Sequence, residues 1–381
     1  MAHSPTRITR TQSDGDQLLY FTSQSLSSDD RQLVFIGTVG GNPNLFVQDL
    51  ANGLTRQLTH NQAGWLKSYV YFDGHPYQGF GKASVSLDSP RGLVYFIQGH
   101  EIRRVDLEGR QTTLAQLPGD EMTAFTHVSG DGRWLCVPTT DARTLEGDFP
   151  DNKPAYDIDA RVQAENLKSY LNIYDTANGQ LAAREVVERG WITHVQFSPA
   201  DARLVLYNHE WPSDCGIRRM WLWDGQSHRR LRPFGPADWV CHEMWTRDGS
   251  AIIYHGGYKD GPCYVGRCDF RSGQLDEVPF DRAFTRYGHF TVGNGAWLVT
   301  DGYYQQPDDP PPPGWGGQWL ALLRPDWSGR TIDWRPIARH GSSWDSQDSH
   351  PHPIFNHAGD AIYFTSDAQG KRAVYRAQAP C

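Results

Sequence analysis

Near its C-terminal end the chain reads Gln347-Asp348-Ser349-His350-Pro351-His352-Pro353. If this run is the entry to a strand, His350 and His352 point to one face, because side chains alternate along a strand. Two imidazoles on one face can share one divalent metal, and Gln347 offers an oxygen ligand. The prolines stiffen the backbone and reduce the entropy lost on binding. A polar loop with incidental histidines is the plainer reading of such a pair taken alone. A second cluster is Asn208-His209-Glu210-Trp211, followed by Arg218-Arg219-Met220-Trp221. A hairpin would bring His209 and Arg219 to one end of a sheet. Guanidinium and imidazole groups beside a metal suit a carboxylate-bearing substrate. His209, Trp211, Arg218 and Arg219 are therefore candidates to receive one. A structural pairing of arginine with Glu210 or Asp214 is the alternative.

The elements that must hold these residues are legible as a repeat. A turn rich in Ser, Asp, Gly or Asn precedes a short apolar strand, and a second strand follows that ends at Asp or near Gly. The strand pairs are Leu33–Ile36 with Asn44–Leu50, Leu93–Phe96 with Ile102–Leu107, and Trp134–Val137 with Leu171–Asp175. Leu204–Tyr207 with Met220–Gly225, Ala251–Tyr254 with Tyr264–Asp269, Trp297–Thr300 with Trp319–Leu322, and Ala361–Phe364 with Ala373–Arg376 complete them. Seven copies in 381 residues allow about 54 residues each, which suits the four-stranded blades of a β-propeller plus loops. The expectation is an all-β, seven-bladed β-propeller with TolB-like or WD-like blades around a central channel, one domain over residues 1–381. Leu18-Leu19-Tyr20-Phe21 is the expected N-terminal strand that completes the last blade. Innermost strands line such a channel. His194, His242, His289 and the pair His350 and His352 precede the turns of four blades, so the ring would aim their imidazoles at one another.

Composition agrees. The chain has 38 Gly and 24 Pro for turns, and 14 Trp, 17 Tyr and 16 Phe for packing. Its 36 Lys plus Arg against 44 Asp plus Glu give a net charge of −8, which argues against a general nucleic-acid binder. No run approaches the roughly 20 apolar residues of a membrane span, and the start lacks the apolar core of a secretory signal. The six cysteines contain no CxxC pair and read as reduced thiols of a cytoplasmic protein. Three segments read as insertions: Trp65 to Lys82, Asp141 to Asn166, which holds the clearest helical window at Ala155 to Asn166, and Gln305 to Gly317 with Pro310 to Pro313.

With these residues in place the chain resembles the oligogalacturonate lyases, seven-bladed propeller enzymes of polysaccharide lyase family 22 that cleave short pectin fragments. The likeness runs from Leu19-Tyr20-Phe21-Thr22 through His209-Glu210, Arg219-Met220-Trp221, His242-Glu243-Met244-Trp245 and Gly288-His289-Phe290. It ends at Ser343-Trp344 and the Gln347 to Pro353 run, its most specific part. The resemblance implies that His289, Gln347, His350 and His352 bind Mn²⁺ or another divalent metal. It implies His242 as general base and Arg219 as an arginine that supports catalysis. The implied reaction is β-elimination on a short oligogalacturonide, such as a digalacturonate, leaving a 4,5-unsaturated uronate. A different uronate oligomer, or a non-enzymatic TolB-like propeller that binds a protein partner, are the alternatives. A hydrolase gated by a propeller would need a GxSxG nucleophile elbow, and the chain has none.

Overall fold

The computed structural model describes all residues except 1–3, 65, 67–80, 124, 146–157, 189, 210–218, 234–238, 259–260, 281–287, 303, 305–316 and 380–381. Most of the first insertion, much of the second and the Pro310 to Pro313 run lie outside the described residues. Ile158–Ala164 is helical, within the window expected in the second insertion.

Seven antiparallel sheets follow one another along the chain. Each apolar strand pair of the sequence repeat supplies the two central strands of one sheet. In the fifth these are Ile252–Gly257 and Cys263–Cys268, between Trp239–Trp245 and Leu275–Phe280. In the sixth they are Leu298–Thr300 and Trp319–Asp326, between Phe290–Val292 and Thr331–Arg339. In the third sheet the first position is split between two short strands, Glu121–Met122 and His127–Val128. This is the seven-bladed β-propeller class. Among the described residues no helix is long and apolar enough to cross a membrane.

The strand that completes the seventh sheet is not Leu18 to Phe21. Thr6–Arg7 pairs with Ala373–Gln378 instead. Gly15–Leu18 opens the first sheet by pairing with Gln32–Val39. Both segments are short, and an apolar run alone does not say which edge it joins. Tyr20 and Phe21, freed from ladder pairing, belong to the candidate site.

The repeat signals have a common cause. An Asp at the end of the third strand folds its carboxylate onto the next turn. Asp49 Oδ1 accepts the Ala51 N–H at 2.8 Å, Asp175 Oδ1 that of Ala177 at 2.8 Å, and Asp269 Oδ1 that of Arg271 at 2.9 Å. Such Asx turns reverse the chain at little cost. Earlier in the sheet a hydroxyl and an Asp share a turn, as in Ser27 to Asp29, Ser129 to Asp131 and Thr246 to Asp248, each at 2.6–2.7 Å.

Contacts group the chain into two compact units. One holds Met1–Gly40, Leu45–Gln57 and Ala237–Cys381, and the other Gly41–Asn44 and Leu58–Pro236. The first contains the fifth, sixth and seventh sheets. There Val299, Leu320, Leu322, Ile362, Phe364 and Tyr375 form one buried cluster between two neighbouring sheets. The second unit has an equivalent layer around Tyr95, Ile97, Leu135 and Val137. Alternation along each strand sends apolar side chains to both faces, so neighbouring sheets within a unit pack apolar face against apolar face.

Candidate metal centre and active site

Three of the four expected metal ligands converge within the first unit. The ligand nitrogens of His289, His350 and His352 lie within 4.8 Å of one another, and all three side chains are buried. His289 Nε2 and His352 Nε2 are 3.1 Å apart. The way they meet differs from the expectation. Gln347–Ser349 is a single 3-10 turn, and the strand begins only at Ile354. Strand alternation therefore does not align His350 and His352. His352 instead has φ of 46°, and this left-handed residue swings its ring back beside His350, with centroids 5.8 Å apart.

Asp301, at the end of the Leu298–Thr300 strand, organises the cluster. Its carboxylate accepts the His289 backbone N–H at 2.6 Å, His289 Nδ1–H at 3.0 Å and the His352 backbone N–H at 3.1 Å. With its proton held on Nδ1, His289 turns an Nε2 lone pair into the cluster. This is the usual outer-shell arrangement for a metal-binding histidine. Asp301 is fully buried. Burial pushes its carboxyl up, but His289 and its hydrogen bonds outweigh that and hold it below the ordinary value. Among the described residues, its ion pair is with His289 alone. A buried carboxylate wrapped in imidazoles is short of positive charge, and a divalent cation among three nitrogen lone pairs supplies it. The donor set therefore fits a metal. Gln347 is half-buried in the 3-10 turn that leads to His350, and its carbonyl accepts the His350 N–H at 3.4 Å.

Aromatic rings hold the imidazoles. Phe21 lies 5.4 Å from His289 and 5.5 Å from His352, Tyr20 lies 5.1 Å from His352, and Trp344 lies 4.4 Å from His350. Trp344 also has a positive φ, 60°. Left-handed non-glycine residues cost on the order of 1–3 kcal/mol and gather at functional sites.

His242 stands beside this cluster, its ring 4.5 Å from His289 and 5.3 Å from Phe21. Its φ is 53°. Its Nδ1 lies 3.0 Å from the Gly288 carbonyl and 2.7 Å from His255 Nε2. A carbonyl can only accept, so the network assigns the proton to Nδ1 and leaves a lone pair on Nε2. Gly288 must be glycine for this. A Cβ there would fall 2.7 Å from Gly302 Cα.

Arg219 is found in the second unit. It is buried, and its Nη2 donates to His194 Nδ1 at 3.4 Å. Asn208 Nδ2 donates to the same nitrogen at 3.0 Å, so the His194 proton sits on Nε2. His209 packs edge-on against Trp221 at 5.2 Å. Burial, with His228 and Arg230 nearby, pushes His209 down to about 3. Trp211 and Arg218, with Glu210 and Asp214, lie outside the described residues.

Sequence reasoning missed His255 and Asp301. His255 had a signal: it is the charged-capable residue in the wholly buried run Ile252–Gly257. Asp301 had only its place after a strand end. Also missed was His340, whose Nε2–H donates to Gly317 O at 2.6 Å and whose Nδ1 accepts the Ser342 N–H at 2.9 Å. Burial pushes it down to about 4, against the opposing pull of Asp301. His209 and His340 thus stay neutral in the folded protein where an unfolded histidine protonates, near 6.5. The unfolded state binds more protons below that pH. Stability should therefore fall as pH drops from about 6.5 towards 3, by an amount on the order of a few kcal/mol. Denaturant midpoints across this window check it, and a His340→Phe variant should show a shallower decline.

Comparison with known proteins follows this geometry. A family model described as oligogalacturonate lyase matches residues 5–381. The oligogalacturonate lyase of Dickeya dadantii is 28% identical over 380 residues, covering 95% of this chain and 89% of that protein. The oligogalacturonide lyase of Pectobacterium atrosepticum is 27% identical with the same coverage. Among solved structures, an oligogalacturonate lyase in complex with manganese superposes with a TM-score of 0.76 at 22% identity, covering 100% of this chain and 96% of that one. An oligogalacturonate lyase from Vibrio parahaemolyticus gives 0.76 at 22%, covering 99% and 93%. The match of the family model over nearly the whole length means that this chain belongs to the oligogalacturonate lyase family.

Proposed function

We propose that the protein is a metal-dependent lyase that cleaves short oligogalacturonides by β-elimination. The observation that carries the reading is the buried triad His289, His350 and His352, braced by Asp301 beside His242, whose Nδ1 is held on the Gly288 carbonyl. His289, His350 and His352, with Gln347 as oxygen donor, would hold the ion. Mn²⁺ is the ion assigned, in keeping with the manganese named for a structural relative, and a set with open positions suits it. When bound, the metal supplies Lewis-acid stabilisation of charge developing on the substrate carboxylate.

The chain's own residues do the rest. His242 Nε2 takes the C5 proton, which lies α to the carboxylate and is weakly acidic, while Nδ1 stays anchored on Gly288. The electrons left at C5 form the C4–C5 double bond, the C4–O4 glycosidic bond breaks, and the departing oxygen takes a proton from solvent. Positioned proton transfer of this kind contributes about 10²–10⁴-fold. Arg219 is the arginine assigned to the substrate carboxylate, and His209, Trp211 and Arg218 are the residues assigned to the sugar chain, as the resemblance and the residue types imply. Phe21, Tyr20 and Trp344 keep water from the imidazoles. A net charge of −8 repels a long polyanion, which favours short oligomers held locally over polymer on a surface. The reading treats residues 1–381 as one domain of a cytoplasmic enzyme. Cys136, Cys241, Cys263 and Cys268 form no disulfide.

The test is the ultraviolet absorbance of the conjugated, unsaturated uronate released from di- or trigalacturonate. EDTA-treated protein should be silent and Mn²⁺ should restore the signal. Absence of product from every uronate oligomer, with metal supplied, would sink the reading.

A further inference from the structure

We propose that Cys241, His242 and His255 form a second cation site, selective for a soft or borderline ion such as Zn²⁺, and that filling it disables His242 as a base. The site is separate from the triad above in its sulfur donor. Its switching role rests on the assignment of His242 as base, whereas its binding role does not.

The fold builds this cluster in two steps. Cys241 and His255 are directly opposed across the Trp239–Trp245 and Ile252–Gly257 strands. Opposed residues of an antiparallel pair share a face, about 4.5–5.5 Å apart at Cβ. His242 should then point away. The register, however, advances three residues on one strand, from Cys241 to Met244, and two on the other, from His255 to Ile253. This one-residue bulge, with His242 at a φ of 53°, returns its ring to the same face. Bulges of this kind re-aim side chains beside active sites. One ligand atom from each residue then lies within 4.8 Å of the others. His242 Nδ1 and His255 Nε2 are 2.7 Å apart, and the rings stack at 20° with centroids 4.9 Å apart.

A thiolate and two imidazoles are donors that Zn²⁺ takes in preference to Mn²⁺, which favours oxygen. The two histidines are buried, while Cys241 is half-buried. Three protein ligands leave a fourth position for water. Binding releases the Cys241 thiol proton to solvent. Nδ1 of His242 gives up its hydrogen for the metal bond, so the neutral ring must carry its proton on Nε2. That is the nitrogen the base needs with a lone pair. The same ring therefore cannot hold this ion and accept the C5 proton.

Co²⁺ is the probe, because a cobalt–thiolate bond has a near-ultraviolet charge-transfer band that an all-imidazole site lacks. Apo-protein titrated with Co²⁺ should show the band. His350→Ala should keep it, and Cys241→Ser should lose it. In the lyase assay with Mn²⁺, added Zn²⁺ should inhibit the wild type, whereas Cys241→Ser should retain basal activity and need at least about ten times more Zn²⁺. Absence of the band from the wild type, or its persistence in Cys241→Ser, overturns the site. Unchanged Zn²⁺ inhibition in Cys241→Ser, with the band lost, overturns the switch. Were the lyase reading itself wrong, turnover would be absent while the band remained.

Discussion

A His350→Ala protein is expected to lose its divalent metal and its lyase activity together. His350 is one of three imidazoles whose nitrogens lie within 4.8 Å of one another. Losing even an outer-shell partner of a metal ligand typically costs 10–100-fold in affinity, so loss of a ligand should cost at least about 100-fold. Without the Lewis acid, charge developing on the substrate carboxylate loses several kcal/mol of stabilisation. At 1.36 kcal/mol for each factor of ten, the rate should fall on the order of 10³-fold. The ring also packs on Trp344 at 4.4 Å, so some stability is lost with it. Metal content by elemental analysis, measured on protein that still melts cooperatively, separates the effects. Full metal occupancy in His350→Ala would remove this residue from the ligand set.

His242→Ala is expected to behave in the opposite way, keeping its metal and losing turnover by about 10²–10⁴-fold. His242 touches His289 ring to ring but contributes no nitrogen to the triad. Its φ of 53° complicates an alanine, which pays about 1–2 kcal/mol in the left-handed region. His242→Asn is the companion variant, since Asn tolerates that backbone and still lacks a basic nitrogen. Both should bind Mn²⁺ with near-normal stoichiometry and show kcat reduced far more than KM is raised. Near-normal turnover in His242→Asn would show that the base has been misassigned.

The repeat was readable because each blade is local. Its turns depend on Asp, Ser and Gly within a few residues, and its strands on alternating apolar side chains. Every apolar pair named from the sequence, from Leu33–Ile36 to Ala373–Arg376, lies in or against the central strands of a sheet. Ring closure was not local. Thr6–Arg7 has no apolar signature, and only its pairing with Ala373–Gln378 distinguishes it from Leu18 to Phe21.

The candidate site divides along the same line. The residue types were legible: His289, His350 and His352 converge, and His242 stands next to them. The reason offered for the pair in the Gln347 to Pro353 run was wrong in mechanism, since a left-handed His352 does what strand alternation was expected to do. Sequence by itself determined the blades, the imidazole inventory and the likeness to uronate lyases, because those depend on composition and short-range spacing. Only the tertiary structure decided which nitrogens of His289 and His242 carry the proton. Asp301, Gly288 and His255 set those tautomers from positions 12, 46 and 13 residues away in sequence. A hydrogen bond across strands reports distance in space, and nothing in the linear order of residues encodes it.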